Sequence, residues 1–335
     1  MAKARAEIQS GEDRLIARYF KPLARHPGAF GLEDDAAILS PPAGHEVVLK
    51  TDAIVGGMHF FPNDPAAAVA RKALRVNLSD LAAKGAKPAG FLLSLILPKS
   101  VSGKWIADFA RGLGADAERY NCPLMGGDTD RTNGPVTISI AAFGTLPAGT
   151  MVRRSGAKVG DRVVVSGTIG DAALGLKLRQ APAIAKHWNL DAAMRKHLLG
   201  RYLVPEPRNA LAEALRAHAS AAMDVSDGLA GDLAKLCRAS GVAAEINAAR
   251  VPLSPAARKA LLAGGKLIET ILTGGDDYEI VATVAPSKVL SLMAAARAAG
   301  VAFCEIGVVR PGQGAQFRTP SGKALSFARP SFSHF

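Results

Sequence analysis

The chain has 335 residues, of which 49% are hydrophobic and only 5% aromatic, with 34 glycines and 20 prolines. That composition excludes a disordered or fibrous chain and is long enough for two domains of about 150 residues, each with its own core. Forty-one Lys and Arg against 29 Asp and Glu leave a net charge of +12. The basic residues are scattered, as in ARYFKPLARHP and MVRRSGAKVGD, and aromatics for base stacking are scarce, so no nucleic-acid partner is expected.

The N-terminal MAKARAEIQSGEDRLIARYF lacks an uninterrupted apolar run, and GFLLSLIL is too short to cross a bilayer. A cytoplasmic protein without a membrane partner is the expectation. Cys122, Cys237 and Cys304 lie far apart without C-x-x-C or paired Cys/His spacing, which indicates neither a disulfide framework nor a zinc site.

In chain order, Ser10 and Asp13 have the spacing of a capping box, and Leu15, Ile16, Tyr19, Phe20 and Leu23 form the buried stripe of a first helix. The loop GLEDDAA and a strand through EVVLKTDAI follow. Asp64 and Pro65 start a helix that Gly85 and Pro88 end, which leaves Asp80 near a helix C-terminus, the unfavourable end for a carboxylate. Strand GFLLSLILP, helix WIADFARGLGADAERY, short strand PLMGG and strand PVTISIAAFGTL complete an alternating set. PAGTMVRRSGAKVGD reads as a linker between residues 1–148 and 149–335. Beyond it, DRVVVSGTIGDAALGLKL and AAMDVSDGLAGDLAKLCRAS are both strand, turn and helix, and strands YEIVATV and FCEIGVVR flank the helix SKVLSLMAAARAAG. Both halves are mixed α and β.

The stretch AAMDVSDGLAGDLAKL raises the functional question, because one strand-to-helix junction carries Asp224, Asp227 and Asp232. Helix capping and a turn would explain it alone. The pattern recurs, however, in LKTDAIVGGMHF, VNLSDLAAKGAKP, LMGGDTDR and LTGGDDYEI, where an Asp closes an apolar run beside small residues. Oxygen ligands without His or Cys suit Mg2+, which takes one or two carboxylates per ion and fills its shell with water and phosphate. A polymetal cluster with a nucleotide is therefore the sharp reading of Asp35, Asp52, Asp80, Asp128 and Asp224. SGTIGDAALG follows a strand and opens a helix, so its N–H groups could face an anion, although Gly-x-x-Gly serves plain tight turns as well. Neither a P-loop nor a protein-kinase motif set is present.

Taken in order, GLEDDAA, TDAIVGGMHF, NLSDLAAKGAKP, GGDT, RSGAKVGD, SGTIGDAALGL, MDVSDGL, GGDDYEI and FSHF resemble the thiamine-monophosphate kinases. These belong to the ATP-dependent superfamily of aminoimidazole ribonucleotide synthetase. The resemblance implies phosphorylation of thiamine monophosphate to thiamine diphosphate by ATP. It also implies an α+β, two-domain homodimer, with N-terminal mixed sheets joined in a shared β-barrel and a C-terminal α/β domain behind each. By the same pattern Asp35, Thr51, Asp52, Asp80, Asp128, Asp224 and Asp227 would hold several Mg2+ ions, while Gly127, Asp128, Arg154 and Ser226 would contact ATP. His59, Asp276 and Phe332 would contact thiamine monophosphate, and Arg154 with the metals would stabilise transition-state charge.

From the residues alone other readings stay open. His59 also reads as a strand-end histidine satisfied by the backbone, Arg154 as a solvated charge, Phe332 as a docking aromatic and Asp227 as the helix cap. Glu33 stands where the family usually has Gly, with Lys50 as the cation to offset it, and Asp276 stands where Glu is common. The rivals are another enzyme of the superfamily, against which the lack of N-terminal and C-terminal cysteines counts, and a basic nucleic-acid-binding protein whose Asp residues only cap and turn.

Overall fold

The computed structural model describes residues 10–264, 266–329 and 331. The chain divides into two units, one of Met1–Pro42, Leu49–Asn77 and Pro88–Gly144, the other of Ala43–Val48, Leu78–Lys87 and Thr145–Phe335. Two open sheets, of four and six strands, organise a mixed α/β molecule. Among the described residues no helix is long and apolar enough to cross a membrane.

Ser10 caps α1 (Gly11–Leu15) as its spacing predicts: its Oγ accepts the Asp13 N–H at 3.0 Å, and Asp13 Oδ2 accepts the Ser10 N–H at 2.9 Å. The helix does not continue in α form along its stripe. Ile16–Phe20 widens to a π-turn and Lys21–Leu23 tightens to a 3-10 turn, because Pro22 lacks an N–H and its ring clashes with a preceding carbonyl in regular α geometry. Burial still follows the stripe, since Leu15, Ile16, Tyr19, Phe20 and Leu23 are the shielded residues of this stretch.

Strands β1 (His45–Val55), β2 (Lys87–Pro98), β3 (Leu124–Thr132) and β4 (Thr137–Pro147) form the first sheet in the order β1-β4-β2-β3. Alternation builds its inner face, with Ile138, Ile140, Ala142 and Leu146 buried on β4. β3 runs well past the predicted PLMGG, because GGDTDRT pairs in parallel with Leu92–Pro98 of β2 and gains a full ladder of backbone hydrogen bonds. Helix α2 (Ala66–Ala83) and helix α3 (Gly103–Arg119), capped by Ser102, are joined by a buried ion pair. Arg75 Nε and Nη2 donate to the two Asp116 oxygens at 2.5 and 2.9 Å.

The second sheet comprises β5 (Arg162–Ser166), β6 (Ala219–Val225), β7 (Ala243–Asn247), β8 (Glu279–Val284), β9 (Phe303–Arg310) and β10 (Gly314–Arg318), ordered β10-β7-β9-β5-β8-β6. Its helices are α4 (Asp171–Gln180), α5 (Ile184–His187), α6 (Ala192–Leu203), α7 (Ala212–His218), α8 (Leu229–Ser240), α9 (Pro255–Ala263), α10 (Leu267–Thr273) and α11 (Val289–Ala298). Val163, Val165, Met223 and Val281 share a core with Leu174, Leu198 and Leu233 of α4, α6 and α8. Val164, Ile280 and Val284 face the other way, toward Leu215 of α7 and Leu292 of α11. Covered on both faces, β8 is buried along its whole length, which is why VVV and EIVATV read as near-continuous apolar runs.

Candidate active site

In the first unit, Thr51 and Asp52 lie on β1, and Lys50, two residues from Asp52 and so on its face, places Nζ 3.0 Å from Asp52 Oδ1. Lys50 is therefore engaged at Asp52. Glu33 takes Lys21 as its partner instead, and that hydrogen-bonded ammonium holds the exposed Glu33 carboxyl below its usual range. The expected Lys50–Glu33 compensation is corrected: the turns between them bring Lys21, 12 residues away along the chain, to Glu33, while Lys50 is taken by Asp52 on its own strand. Asp35, whose N–H donates to Asp34 Oδ1 at 2.8 Å, is exposed. Gly127 and Asp128 sit in β3 opposite Leu93 and Ser94 of β2, so Asp52 and Asp128 lie on the two edge strands of the sheet.

His59 occupies the turn after β1, and the backbone does hold it. Its Nδ1 accepts the Val55 N–H at 3.0 Å, its own N–H donates to Val55 O at 2.9 Å, and its carbonyl accepts from Lys72 Nζ at 3.0 Å. An Nδ1 that accepts requires the neutral ring to carry its proton on Nε2.

In the second unit, Asp80 stands in the last turn of α2, and the next turn brings Lys84 beside it. Lys84 Nζ donates to Ala222 O of β6 at 2.7 Å. Burial foremost, and then the charge of Arg154, pull the Lys84 ammonium down to about 8 against the opposing pull of Asp224 and Asp80. Asp80, Asp224 and Arg154 thus converge on one lysine. Asp224, 2% exposed, accepts from Ser79 Oγ at 2.9 Å. Arg154 keeps an exposed side chain on a fixed backbone, because Ser240 Oγ donates to its carbonyl at 2.9 Å and accepts the N–H groups of Gly156 and Ala157.

The crowded MDVSDGL junction divides its labour. Gly228 is the N-cap of α8 and supplies no side chain. Asp232 does the backbone work from the first turn, accepting the Ser226 and Asp227 N–H groups on Oδ2 at 3.0 and 2.9 Å. Asp227, read as a possible cap, is instead paired through Lys235 Nζ at 2.5 Å, and the same ammonium reaches Asp232 at 2.9 Å. Burial raises the Asp232 carboxyl above its ordinary range, with Lys235 opposing.

Asp276 lies in the turn before β8 in a left-handed backbone conformation, φ 62°, and its N–H donates to Ser226 O at 2.7 Å. The neighbouring Asp277 is fully buried and fills the place where the N–H groups of SGTIGD could have faced an anion: the Gly170 and Ala172 N–H groups at the start of α4 donate to it at 2.8 and 3.4 Å. A protein carboxyl group thus takes the helix N-terminus. Glu279, also fully buried, accepts from Ser166, Arg201 and Arg208. Phe332 lies outside the described residues. Among the described residues no three Asp, Glu, His or Cys side chains stand close enough to hold a metal ion, and Asp52, Asp224 and Asp227 each engage a protein group in their own unit. Ser79, Lys84, Ser240, Asp277 and Glu279 are the site residues that sequence reasoning passed over, whereas Asp232 is noted there without a role. Four of them stand inside quoted motifs, and only burial distinguishes them.

Two family models match the chain: the N-terminal domain of AIR synthase related protein over residues 33–146 and its C-terminal domain over 158–319. The thiamine-monophosphate kinase of Caulobacter vibrioides is 44% identical over 317 residues, covering 93% of this chain and 88% of the relative. The chain belongs to the thiamine-monophosphate kinase family. The family's solved structures share its fold. The thiamine-monophosphate kinase of Stenotrophomonas maltophilia K279a aligns at a TM-score of 0.82 and 39% identity over 93% of this chain and 96% of its own. AaThiL complexed with AMPPCP and TMP aligns at 0.77 and 30% identity over 92% and 97%.

Proposed function

We propose that this chain phosphorylates thiamine monophosphate to thiamine diphosphate with ATP as co-substrate. The observation that carries the reading is the near-full-length identity to thiamine-monophosphate kinases. The chemistry needs positioning and charge neutralisation more than a reactive side chain, because two anions must meet in line. An acceptor phosphate with a second pKa of about 6 is mostly deprotonated at neutral pH, so no strong general base is required.

Arg154, exposed on a backbone that Ser240 fixes, is the side chain to meet the transferring phosphoryl group. Ser226, whose N–H is taken by Asp232, would meet the nucleotide through its hydroxyl, and Gly127 would meet it through its backbone. His59 would donate Nε2–H to the acceptor, and Asp276 and Phe332 complete the acceptor contacts. Asp35, Thr51, Asp52, Asp80, Asp128, Asp224 and Asp227 are an oxygen-only donor set, the chemistry that a hard divalent cation takes, and they would hold Mg2+. Such ions would supply neutralisation of the phosphate oxygens when bound.

The reading includes a cytoplasmic homodimer, residues 1–148 as its metal, nucleotide and dimerisation part, and residues 149–335 as the part that completes the site. Joining of two N-terminal sheets in a β-barrel is supported by β1, an edge strand that leaves Leu49 70% and Val47 36% exposed. The test of function is product analysis with ATP, Mg2+ and thiamine monophosphate, with free thiamine in parallel. ADP and thiamine diphosphate should appear together and only with the monophosphate and Mg2+ present; bound ATP without product would redirect the search to other acceptors.

A further inference from the structure

Three residues of GGDDYEI adopt left-handed backbone, two of them against their own preference. Gly275, Asp276 and Tyr278 all have positive φ, at 75°, 62° and 51°, and for the two non-glycine residues that region is sterically poor. At Gly275 a Cβ would run into Ser226 O, so glycine is required there. Something outside the turn must hold it, since a strained backbone persists only where its surroundings over-determine it.

Two sets of bonds do so. On one side Asp276 N–H and Tyr278 N–H donate to Ser226 O and Val225 O at 2.7 and 2.8 Å, tying the turn to MDVSDGL. On the other side stands Asp277, next to the half-buried Asp276 but itself fully buried. Its carboxyl receives the two α4 N–H groups, and Arg201 Nη2 clamps its carbonyl at 2.8 Å while reaching Glu279 at 3.1 Å. Glu279 in turn lies against Gly167, where a Cβ would collide with the carboxylate. The glycine turn 167–170, the start of α4 and the 275–278 turn are therefore one packed assembly with Asp277 at its centre. Tyr278 Oη, 3.3 Å from Asp276 Oδ1, extends it to the Asp276 carboxylate.

We propose that Asp277 is a positioning residue for the acceptor site: by anchoring the strained turn on the N-terminus of α4 it holds Asp276 where the acceptor is bound. The inference rests on the kinase reading above. Loss of the anchor lets Asp276 and Tyr278 relax toward right-handed backbone, which moves the Asp276 carboxylate away while leaving Arg154 and the carboxylates of β1 and β3 untouched. Burial holds the Asp277 carboxyl well above the usual carboxylate range, so asparagine, neutral and of the same shape, is a close stand-in that keeps the short bond from Gly170.

The experiment is steady-state kinetics of wild type, Asp277→Ala, Asp277→Asn and Tyr278→Phe, with both substrates varied and the fold checked by near-ultraviolet circular dichroism. Asp277→Ala should raise the KM for thiamine monophosphate about tenfold or more with the KM for ATP within about twofold, and Asp277→Asn should restore most of it. Tyr278→Phe, which leaves the core intact, should raise the acceptor KM about threefold and decides the matter if Asp277→Ala does not fold. Unchanged KM values in the folded variants, or equal rises for both substrates, would overturn the positioning role. A wild type that neither turns over nor binds thiamine monophosphate by calorimetry would overturn the kinase reading itself, and the inference with it.

Discussion

At the scale of single residues the second unit shows how adjacent acids acquire different work. Asp224 is buried against a hydroxyl, Asp227 meets an ammonium and Asp232 collects backbone N–H groups; only the last resembles the cap that local spacing suggested. Asp52→Asn and Asp80→Asn should each lower turnover about a hundredfold or more with the circular dichroism spectrum unchanged; near-normal activity in either would remove that residue from the proposed ligand set. His59→Ala should raise the KM for the acceptor more than that for ATP, and the reverse order would reassign it. Lys84 makes a prediction about pH. With its folded value near 8 and its ordinary value at 10.5, the unfolded chain binds the extra proton between those limits, so metal-free protein gains stability as pH rises through that window. The gain is on the order of a few kcal/mol. Lys84→Met should flatten this slope in denaturant titrations run in EDTA from pH 7.5 to 10.5, and an unaltered slope would assign it to other groups.

At the scale of elements, what positions the site is the join between strand ends and helix starts. β5, β6 and β8 bring SGTIGD, MDVSDGL and GGDDYEI to the same end of the sheet, because β8 is antiparallel to both neighbours and begins where they finish. Glu279 opens β8 and gathers α6 through Arg201 and the following loop through Arg208. Glu279→Gln would leave two guanidinium groups without their buried counter-charge, and a loss of about 3–5 kcal/mol in chemical denaturation is expected. A loss below about 1 kcal/mol would mean that solvent replaces the carboxylate, contrary to its complete burial. Sequence reasoning found these three strand ends, since each closes an apolar run, but not the network behind them. Nothing in the spacing of GGDDYEI distinguishes Asp276 from Asp277; the N–H groups that draw one of them inward belong to Gly170 and Ala172, more than a hundred residues earlier.

For the whole molecule the proposed assembly falls on β1, an edge strand of the first sheet. A sheet edge carrying exposed Leu49 and Val47 is a liability for a free monomer, and pairing with a second copy would remove it. Leu49→Asp should convert the proposed dimer to monomer in light scattering coupled to size-exclusion chromatography, while Leu262→Asp, another exposed leucine, at 88%, should not. A wild type that runs as a monomer at all concentrations would sink the dimer.

The sequence by itself determined what depends on near neighbours. The Ser10–Asp13 capping box, the alternation of β4, the apolar runs of β5 and β8 and the order of the acidic motifs are all local patterns, and the last of these was enough to place the chain in its family. Tertiary structure decided which partner each ionisable side chain found: Lys21 rather than Lys50 for Glu33, Lys235 for Asp227, the α4 N-terminus for Asp277. It also decided where α1 stops and how far β3 runs. The physical reason is common to both sets of outcomes. Periodicity and capping are short-range properties of the backbone, whereas the desolvation and pairing of a charge depend on groups that only the folded chain brings within hydrogen-bonding distance.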